Sequence, residues 1–251
     1  WLNQLIGLAK MSPAMGLVGP MSNYATPPQL VEKTGYRDLD DMHGFAQRWR
    51  AEHRGQWFTA GKLSGFCLLM KRAVYNAIGG LDERFGLGLF DDDDLAERAR
   101  RAGFSLAVAH DLFVHHFGSR TFQGAGIDAA RLLHENAQRF AAKWDFNGVG
   151  QAVALRPWQA GDVLPNPVPP DELARVSLTM IVRDEEANLP ACLGSVAGLF
   201  DEIVVVDTGS KDRTRELARE FGAKVSEFPW VDDFAAARNA ALEQATGDYA
   251  F

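Results

Sequence analysis

The 251-residue sequence is poor in cysteine, with Cys67 and Cys192 as its only two. Two thiols so far apart exclude a disulfide scaffold and carry no zinc-type spacing. Both lie in apolar neighbourhoods, which predicts buried thiols in a reducing, cytoplasmic compartment. No run of 18 or more apolar residues occurs, so no helical membrane span is expected and membrane association is at most peripheral. A cationic excess is also missing: 26 Lys and Arg against 33 Asp and Glu give a net charge of −7. A surface of that sign repels phosphate backbones, which argues against nucleic acid as a partner. The start, Trp1-Leu2-Asn3-Gln4, has neither an initiator Met nor a signal segment. The end, Gly247-Asp248-Tyr249-Ala250-Phe251, is turning apolar as if entering a strand, so both ends read as cut. What remains is an ordinary globular composition, 47% hydrophobic and 24% charged.

Proline is concentrated in one place. Pro157, Pro165, Pro167, Pro169 and Pro170 are five of the 11 in the chain. Proline fixes φ and disfavours helix in the residue before it, so this stretch reads as an extended linker. It divides the chain into residues 1–148, a linker over 149–175, and residues 176–251.

The last part alternates strands and helices. Val176–Val182 and Glu202–Asp207 read as buried strands, and Ala223–Phe228 as a third strand. Asn188–Ala197, Asp212–Phe221 and a segment from Asp232 or Asp233 to Ala245 read as helices. That order predicts a parallel sheet with helical crossovers. The first part is less regular. Helices are expected at Leu2–Ala9, Leu39–Arg54, Arg72–Ile78, Asp91–Arg101 and Ala129–Lys143, the last with Leu132, Leu133 and Phe140 on one side. Strands are expected at Gly16–Gly19, Gly65–Met70, Phe104–Val108 and Leu112–His115. The fold class is α/β.

Ligands of open parallel sheets sit beyond the carboxyl ends of the strands. Asp207 ends one such strand directly after three valines, where a charge needs a partner or water. Gly209 permits the turn that follows, and Ser210 and Asp212 equally suit a turn and a helix cap. Arg183, Asp184 and Glu185 crowd the neighbouring strand end, for which a solvated loop is the plainer alternative. No Gly-x-Gly-x-x-Gly lies near Asp207, which weakens a dehydrogenase reading. Arg238 and Asn239 could reach a phosphate or base, although periodicity alone makes Arg238 a surface residue.

In the first part, Asp91-Asp92-Asp93-Asp94 opens a helix. One or two acids satisfy a helix N-terminus; four repel one another, which raises some of their pKa values and suits a general base or a cation site. A solvated acidic cap is the competing reading. His115 and His116 are read as alternating across a strand, so both cannot easily serve one ion.

Taken together, these stretches resemble the family 2 glycosyltransferases of the GT-A fold. Ser177–Glu186, Asp201–Ser210 and Asp233–Asn239 look like the nucleotide-binding first half of such a domain. Gly65–Met70, Gly79–Phe85, the acid run and His116-Phe117-Gly118 look like the acceptor-binding second half, and Gly16–Asn23 fits the segment just after the metal motif. The resemblance implies a Rossmann-like, mainly parallel sheet flanked by helices, present as two incomplete halves in the order second, then first. It implies Asp207 at the nucleoside, with Arg183, Glu185, Gly209, Ser210 and Arg238 in the same cleft. It implies Asp92 as the base that deprotonates the acceptor, Asp91 as its neighbour, and His116 as a ligand of a diphosphate-bound metal. The implied cofactor is Mg²⁺ or Mn²⁺. The implied partners are a nucleotide diphosphate sugar and a hydroxyl acceptor that is a glycan, lipid-linked or a protein, in a bacterial, cell-surface polysaccharide setting. The family's Asp-X-Asp motif is absent from both halves; it would precede Trp1 in one domain and follow Phe251 in the other. The expected function is therefore that of a fragment of a tandem, inverting glycosyltransferase. A non-catalytic nucleotide- or sugar-binding module is the alternative, and a nucleotidyltransferase-like enzyme is disfavoured for want of a Gly-rich phosphate loop.

Overall fold

The structure, a computed structural model of the chain, describes residues 1–118, 126–144 and 174–251. The first part comprises α1 (Leu2–Lys10), β1 (Met15–Ser22), α2 (Leu39–Glu52), β2 (Trp57–Ala60), β3 (Leu69–Lys71), α3 (Arg72–Ile78), a 3₁₀ turn at Glu83–Phe85, α4 (Asp91–Arg101), β4 (Ser105–Val114) and α5 (Ala129–Trp144). The second comprises β5 (Val176–Val182), α6 (Leu189–Ser195), β6 (Glu202–Asp207), α7 (Thr214–Glu220), β7 (Lys224–Glu227), α8 (Phe234–Gln244) and β8 (Tyr249–Ala250). Apart from Ala174 and Arg175, the proline-rich linker lies outside the described residues.

Among the described residues, eight strands join one sheet in the order β2-β4-β1-β3-β8-β5-β6-β7. Four pairings are parallel and three antiparallel, β3 running against both its neighbours. Helices flank this mainly parallel α/β sheet. The strand that ends in Asp207 therefore shares a sheet with Leu69–Lys71, and the two parts meet where Met70 faces Ala250 and Lys71 faces Tyr249.

Hydrophobic patterning accounts for the core. The fully buried Leu5 and Leu8 of α1 cluster with Leu69, Val176 and Tyr249, so one apolar cluster draws on both parts. Burying each such leucine contributes about 1.5–3 kcal/mol. On α8 the buried residues are Ala235, Ala237 and Ala241, whose small side chains bring the helix close to the sheet.

Polar groups close the same seam. The Arg72 guanidinium donates to the carbonyls of Ala245 at 2.5 Å, Gly247 at 3.2 Å and Leu242 at 3.4 Å. A cation there meets the negative end of α8 and the carbonyls of the turn that follows it. Asn239 grips Leu81 in both directions: its Oδ1 accepts from Leu81 N–H at 2.7 Å and its Nδ2 donates to Leu81 O at 2.9 Å. A Cβ at Gly80 would stand 2.1 Å from Asn239 Oδ1, so only glycine fits there.

Several expectations need correction. Of the expected strand Gly65–Met70 only Leu69 and Met70 belong to β3, because Gly65 N–H turns away to the Asp92 carboxylate. The two strands expected over 104–115 are one, β4. The chain stays extended through the polar His110-Asp111 because Trp49 Nε1 donates to His110 O and Gly55 N–H to Asp111 Oδ2. The short edge strand β2 was not expected at all. Cys67 is buried, and burial pushes its thiol up to about 12, but Cys192 is exposed. Leu133 of α5 is exposed; the buried residue of that helix is Asn136.

Candidate active site

β5 and β6 finish side by side, with Val182 opposite Asp207. The loops that follow are stitched to each other. Asp184 N–H donates to Ser210 Oγ, Lys211 N–H to Asp184 Oδ1, Glu185 N–H to Thr214 Oγ1, and Arg213 N–H to Glu186 Oε2, all within 2.9 Å. Ser210 thus fastens the neighbouring loop. Glu185 accepts from Asn188 Nδ2 at 2.9 Å, at the start of α6. Arg183 is about half exposed and lies 4.0 Å from the Asp184 carboxylate.

Asp207 joins this network through one oxygen only. It is fully buried, and its Oδ1 accepts from Gly209 N–H at 3.1 Å and Ser210 N–H at 3.0 Å. Gly209 holds φ = +111°, a backbone conformation that costs glycine nothing. Asp207 Oδ2 is buried without a hydrogen-bond partner. An unpaired buried carboxylate oxygen costs free energy unless a donor arrives.

The acid run separates into four environments. Asp91 is buried and pairs with Arg238 Nη1 at 3.1 Å, across the two parts of the chain. Asp92 Oδ2 accepts from Gly65 N–H at 3.0 Å and its Oδ1 from Asp93 N–H at 2.9 Å. Asp93 pairs with Lys62 at 2.8 Å. Asp94 is fully buried and takes Lys143 at 2.5 Å, Arg98 at 2.7 Å and the Trp144 indole N–H at 2.9 Å. Burial, then the carboxylates of Asp91 and Asp93, raises the pKa of Asp92 to about 7, against the opposing pull of the Gly65 N–H and Lys62. A carboxyl poised there is half ionised near neutrality, which suits proton abstraction.

A cavity of about 300 Å³ lies between the two parts and is lined by Asp91, Asp92, Arg238, Gly65–Leu68, Leu178–Ile181 and residues of α8. Both carboxylates of the expected catalytic pair and the arginine from the opposite part therefore border one space. Arg238, which periodicity alone would leave on the surface, is 45% exposed and anchored. Ahead of the acid run, Leu89 and Phe90 both hold positive φ, +65° and +70°. Two consecutive non-glycine residues in that region cost on the order of 1–3 kcal/mol each.

His115 and His116 lie beyond the end of β4 rather than alternating within a strand. The hydroxyl of Tyr36 hydrogen-bonds His115 Nδ1 at 2.6 Å. His116 Nδ1 donates to Tyr24 O at 2.8 Å, and its ring stacks on Phe66 at 4.9 Å. That bond leaves Nε2 as the available ligand atom. Among the described residues, however, no group of three or more His, Cys, Asp or Glu converges on a point that would hold a metal ion. His116 alone does not make a fit for Mg²⁺ or Mn²⁺.

Paired strand ends with an unpartnered carboxylate oxygen, and a separate cavity lined by Asp91, Asp92 and Arg238 but not by Arg183, Glu185, Asp207, Gly209 or Ser210, define the class: an α/β protein with two candidate ligand positions on one sheet. Residues 177–251 match the family model "Glycosyl transferase family 2", and residues 1–132, more than half of the chain, match "Glycosyltransferase like family 2". The chain belongs to the family 2 glycosyltransferases. It is 57% identical over 77 residues to a TPR repeat-containing protein of Synechococcus elongatus, covering 31% of this chain and 19% of that protein. It is 31% identical over 110 residues to a Mycobacterium tuberculosis protein, covering 42% of this chain and 37% of the other. Over 59 residues it is 37% identical to a glycosyltransferase of Rickettsia typhi, covering 24% of this chain and 20% of the relative. The chain thus spans well under half the length of these relatives. Glucosyl-3-phosphoglycerate synthase from Mycobacterium tuberculosis is 26% identical over 30% of this chain and 32% of its own, with a TM-score of 0.23. Its complex with Mn²⁺, UDP and glucosyl-3-phosphoglycerate aligns at 29% identity over 22% and 21% of the two chains, with a TM-score of 0.20.

Among the described residues no helix is long and apolar enough to cross a membrane.

Proposed function

We propose that this chain belongs to an enzyme that transfers a sugar from a nucleotide diphosphate sugar to a hydroxyl acceptor with inversion. In this reading residues 1–148 are the acceptor side of a GT-A-type unit and residues 176–251 its nucleotide side, joined in permuted order through the linker at 149–175. The observation that carries it is the shared cavity, lined by Asp92 from one part and by Arg238, paired with Asp91, from the other.

Asp92 accepts the proton of the acceptor hydroxyl. The freed oxygen attacks the anomeric carbon from the face opposite the leaving group. The bond from that carbon to the diphosphate oxygen breaks, and the nucleoside diphosphate departs with the electron pair. Arg238, held by Asp91 but still partly exposed, offers donors to the diphosphate as its charge grows. Asp207 Oδ2 accepts from the nucleoside, which supplies its missing donor. No step is assigned to a metal, since the described residues do not assemble a ligand set.

Calorimetric titration with UDP tests the nucleotide side. Asp207→Ala removes a charge-assisted hydrogen bond, so UDP is expected to bind about 10- to 100-fold more weakly. Equal binding by the variant would sink this assignment. Binding of a UDP-sugar by the wild type with no transfer to any hydroxyl acceptor would favour a binding module over an enzyme.

A further inference from the structure

We infer that α5 is the element that positions Asp92, with Asn136 as its central positioning residue. The inference uses the reading of Asp92 as the base only for its consequence, since the geometry stands without it. Asn136 is completely buried, which is unusual for a side-chain amide on a helix. Its Nδ2 donates to the carbonyls of Gly88 at 2.7 Å, Phe85 at 2.9 Å and Leu89 at 3.0 Å. Its Oδ1 is occupied by Arg139 Nη1 at 2.7 Å, which orients the amide with nitrogen toward the loop.

That loop ends in Leu89 and Phe90, both at positive φ, immediately before Asp91 and Asp92. A left-handed pair of non-glycine residues persists only where its surroundings over-determine it. Three carbonyls gathered on one amide supply that constraint. One helical turn further on, Phe140 packs its ring 5.4 Å from Phe90. Another turn on, Lys143 pairs with both Asp82 and Asp94, the two ends of the same loop-to-helix segment. Asn136, Phe140 and Lys143 recur at helical spacing on one face, and that face touches the segment carrying the acid run at its start, middle and end. A helix serving only as cover for the core would present apolar residues here. This one presents an amide and an ammonium to backbone and carboxylates.

The test reads Asp92 directly. Side-chain carboxyl NMR follows its titration in wild type and in Asn136→Ala, and hydrogen exchange follows the amides of residues 86–92. Groups facing Asp92 are Asp91 and Asp93 on its own helix, Lys62 and the Gly65 N–H from the preceding segment, and Arg238 of α8 through Asp91; all are unaltered in the variant. Releasing the loop is expected to lower the Asp92 midpoint by about one pH unit or more as water reaches the carboxyl. Exchange over 86–92 is expected to rise at least about tenfold, while that of β5 and β6 stays unchanged. Asn136→Gln keeps the amide but displaces it by a methylene, and is expected to move both readouts in the same direction by less; it also serves if Asn136→Ala does not fold. An unchanged midpoint and unchanged exchange in a folded variant would overturn the proposal. If Asn136→Ala moves the titration but Asp92→Asn leaves sugar transfer intact, the positioning role stands and the base assignment falls.

Discussion

Asp92→Asn is expected to lower the rate of sugar transfer by about 10²–10⁴-fold, the usual contribution of a general base, while UDP still binds as in wild type. The substitution keeps the size of the side chain and an oxygen able to accept from Gly65 N–H. It removes the capacity to take a proton and leaves one oxygen for the two N–H groups of Gly65 and Asp93, so the loss is read at saturating donor in the folded variant. Transfer by wild type is expected to rise with pH through about 7 as Asp92 ionises, and to level off above it. Stability moves the other way. Between the ordinary carboxylate range and pH 7 the folded chain holds a proton on Asp92 that the unfolded chain has lost, so folding weakens as pH rises through that window. Asp92→Asn removes this term, and at pH 8 the variant is expected to be more stable than wild type by roughly 1–2 kcal/mol after allowance for partial solvent exposure. Chemical denaturation at pH 4 and pH 8 measures it. Full transfer activity in Asp92→Asn would remove the residue from the base role; a variant no more stable at pH 8 would show that Asp92 titrates normally.

The second part of the chain was largely legible from its residues. Val176–Val182 and Glu202–Asp207 carry strand-length apolar runs, and glycine or a capping acid marks the helix ends near them, so local preference and global fold agree. Asp207 stands out for the opposite reason: a carboxylate after three valines is a local conflict, and the structure buries it with Oδ2 unpartnered. The first part was less legible because its decisive contacts are remote in sequence. Nothing local to Gly65 says that its N–H serves Asp92, 27 residues on. Nothing local to Asn136 shows the three carbonyls it collects some 50 residues back, and the leucines beside it suggested the wrong face for α5. The sequence around Arg238 and Asn239 suits contact with a ligand or with solvent. Asn239 instead clamps Leu81 in the other part, 158 residues away, and Arg238 pairs with Asp91. The acid run was seen, but its division of labour was not. Identical residues acquired four environments because helical geometry turns successive side chains by about 100°.

Asp94→Ala is expected to be the most destabilising single change in that run, at about 3 kcal/mol. Its carboxylate is fully buried and holds two cations and an indole N–H. Breaking a buried pair by removing one partner typically costs about 3–5 kcal/mol, because the other charge is left uncompensated. The lower end applies here, since both cations keep other partners: Arg98 still donates to Ile78 O and Gly80 O, and Lys143 still pairs with Asp82. Asp94→Asn retains an acceptor for Trp144 and is expected to cost less than alanine. Urea unfolding reads both, and a loss below about 1 kcal/mol for Asp94→Ala would place the residue among ordinary surface ion pairs. The consequence for function follows from position. Asp94 fastens α5 to α4 two residues beyond Asp92, so its loss frees the helix that bears Asn136 as well as the turn that bears Asp92. Activity in Asp94→Ala should therefore fall together with stability, whereas in Asp92→Asn the two move in opposite directions at pH 8. That opposition separates a residue that does the chemistry from one that holds it in place.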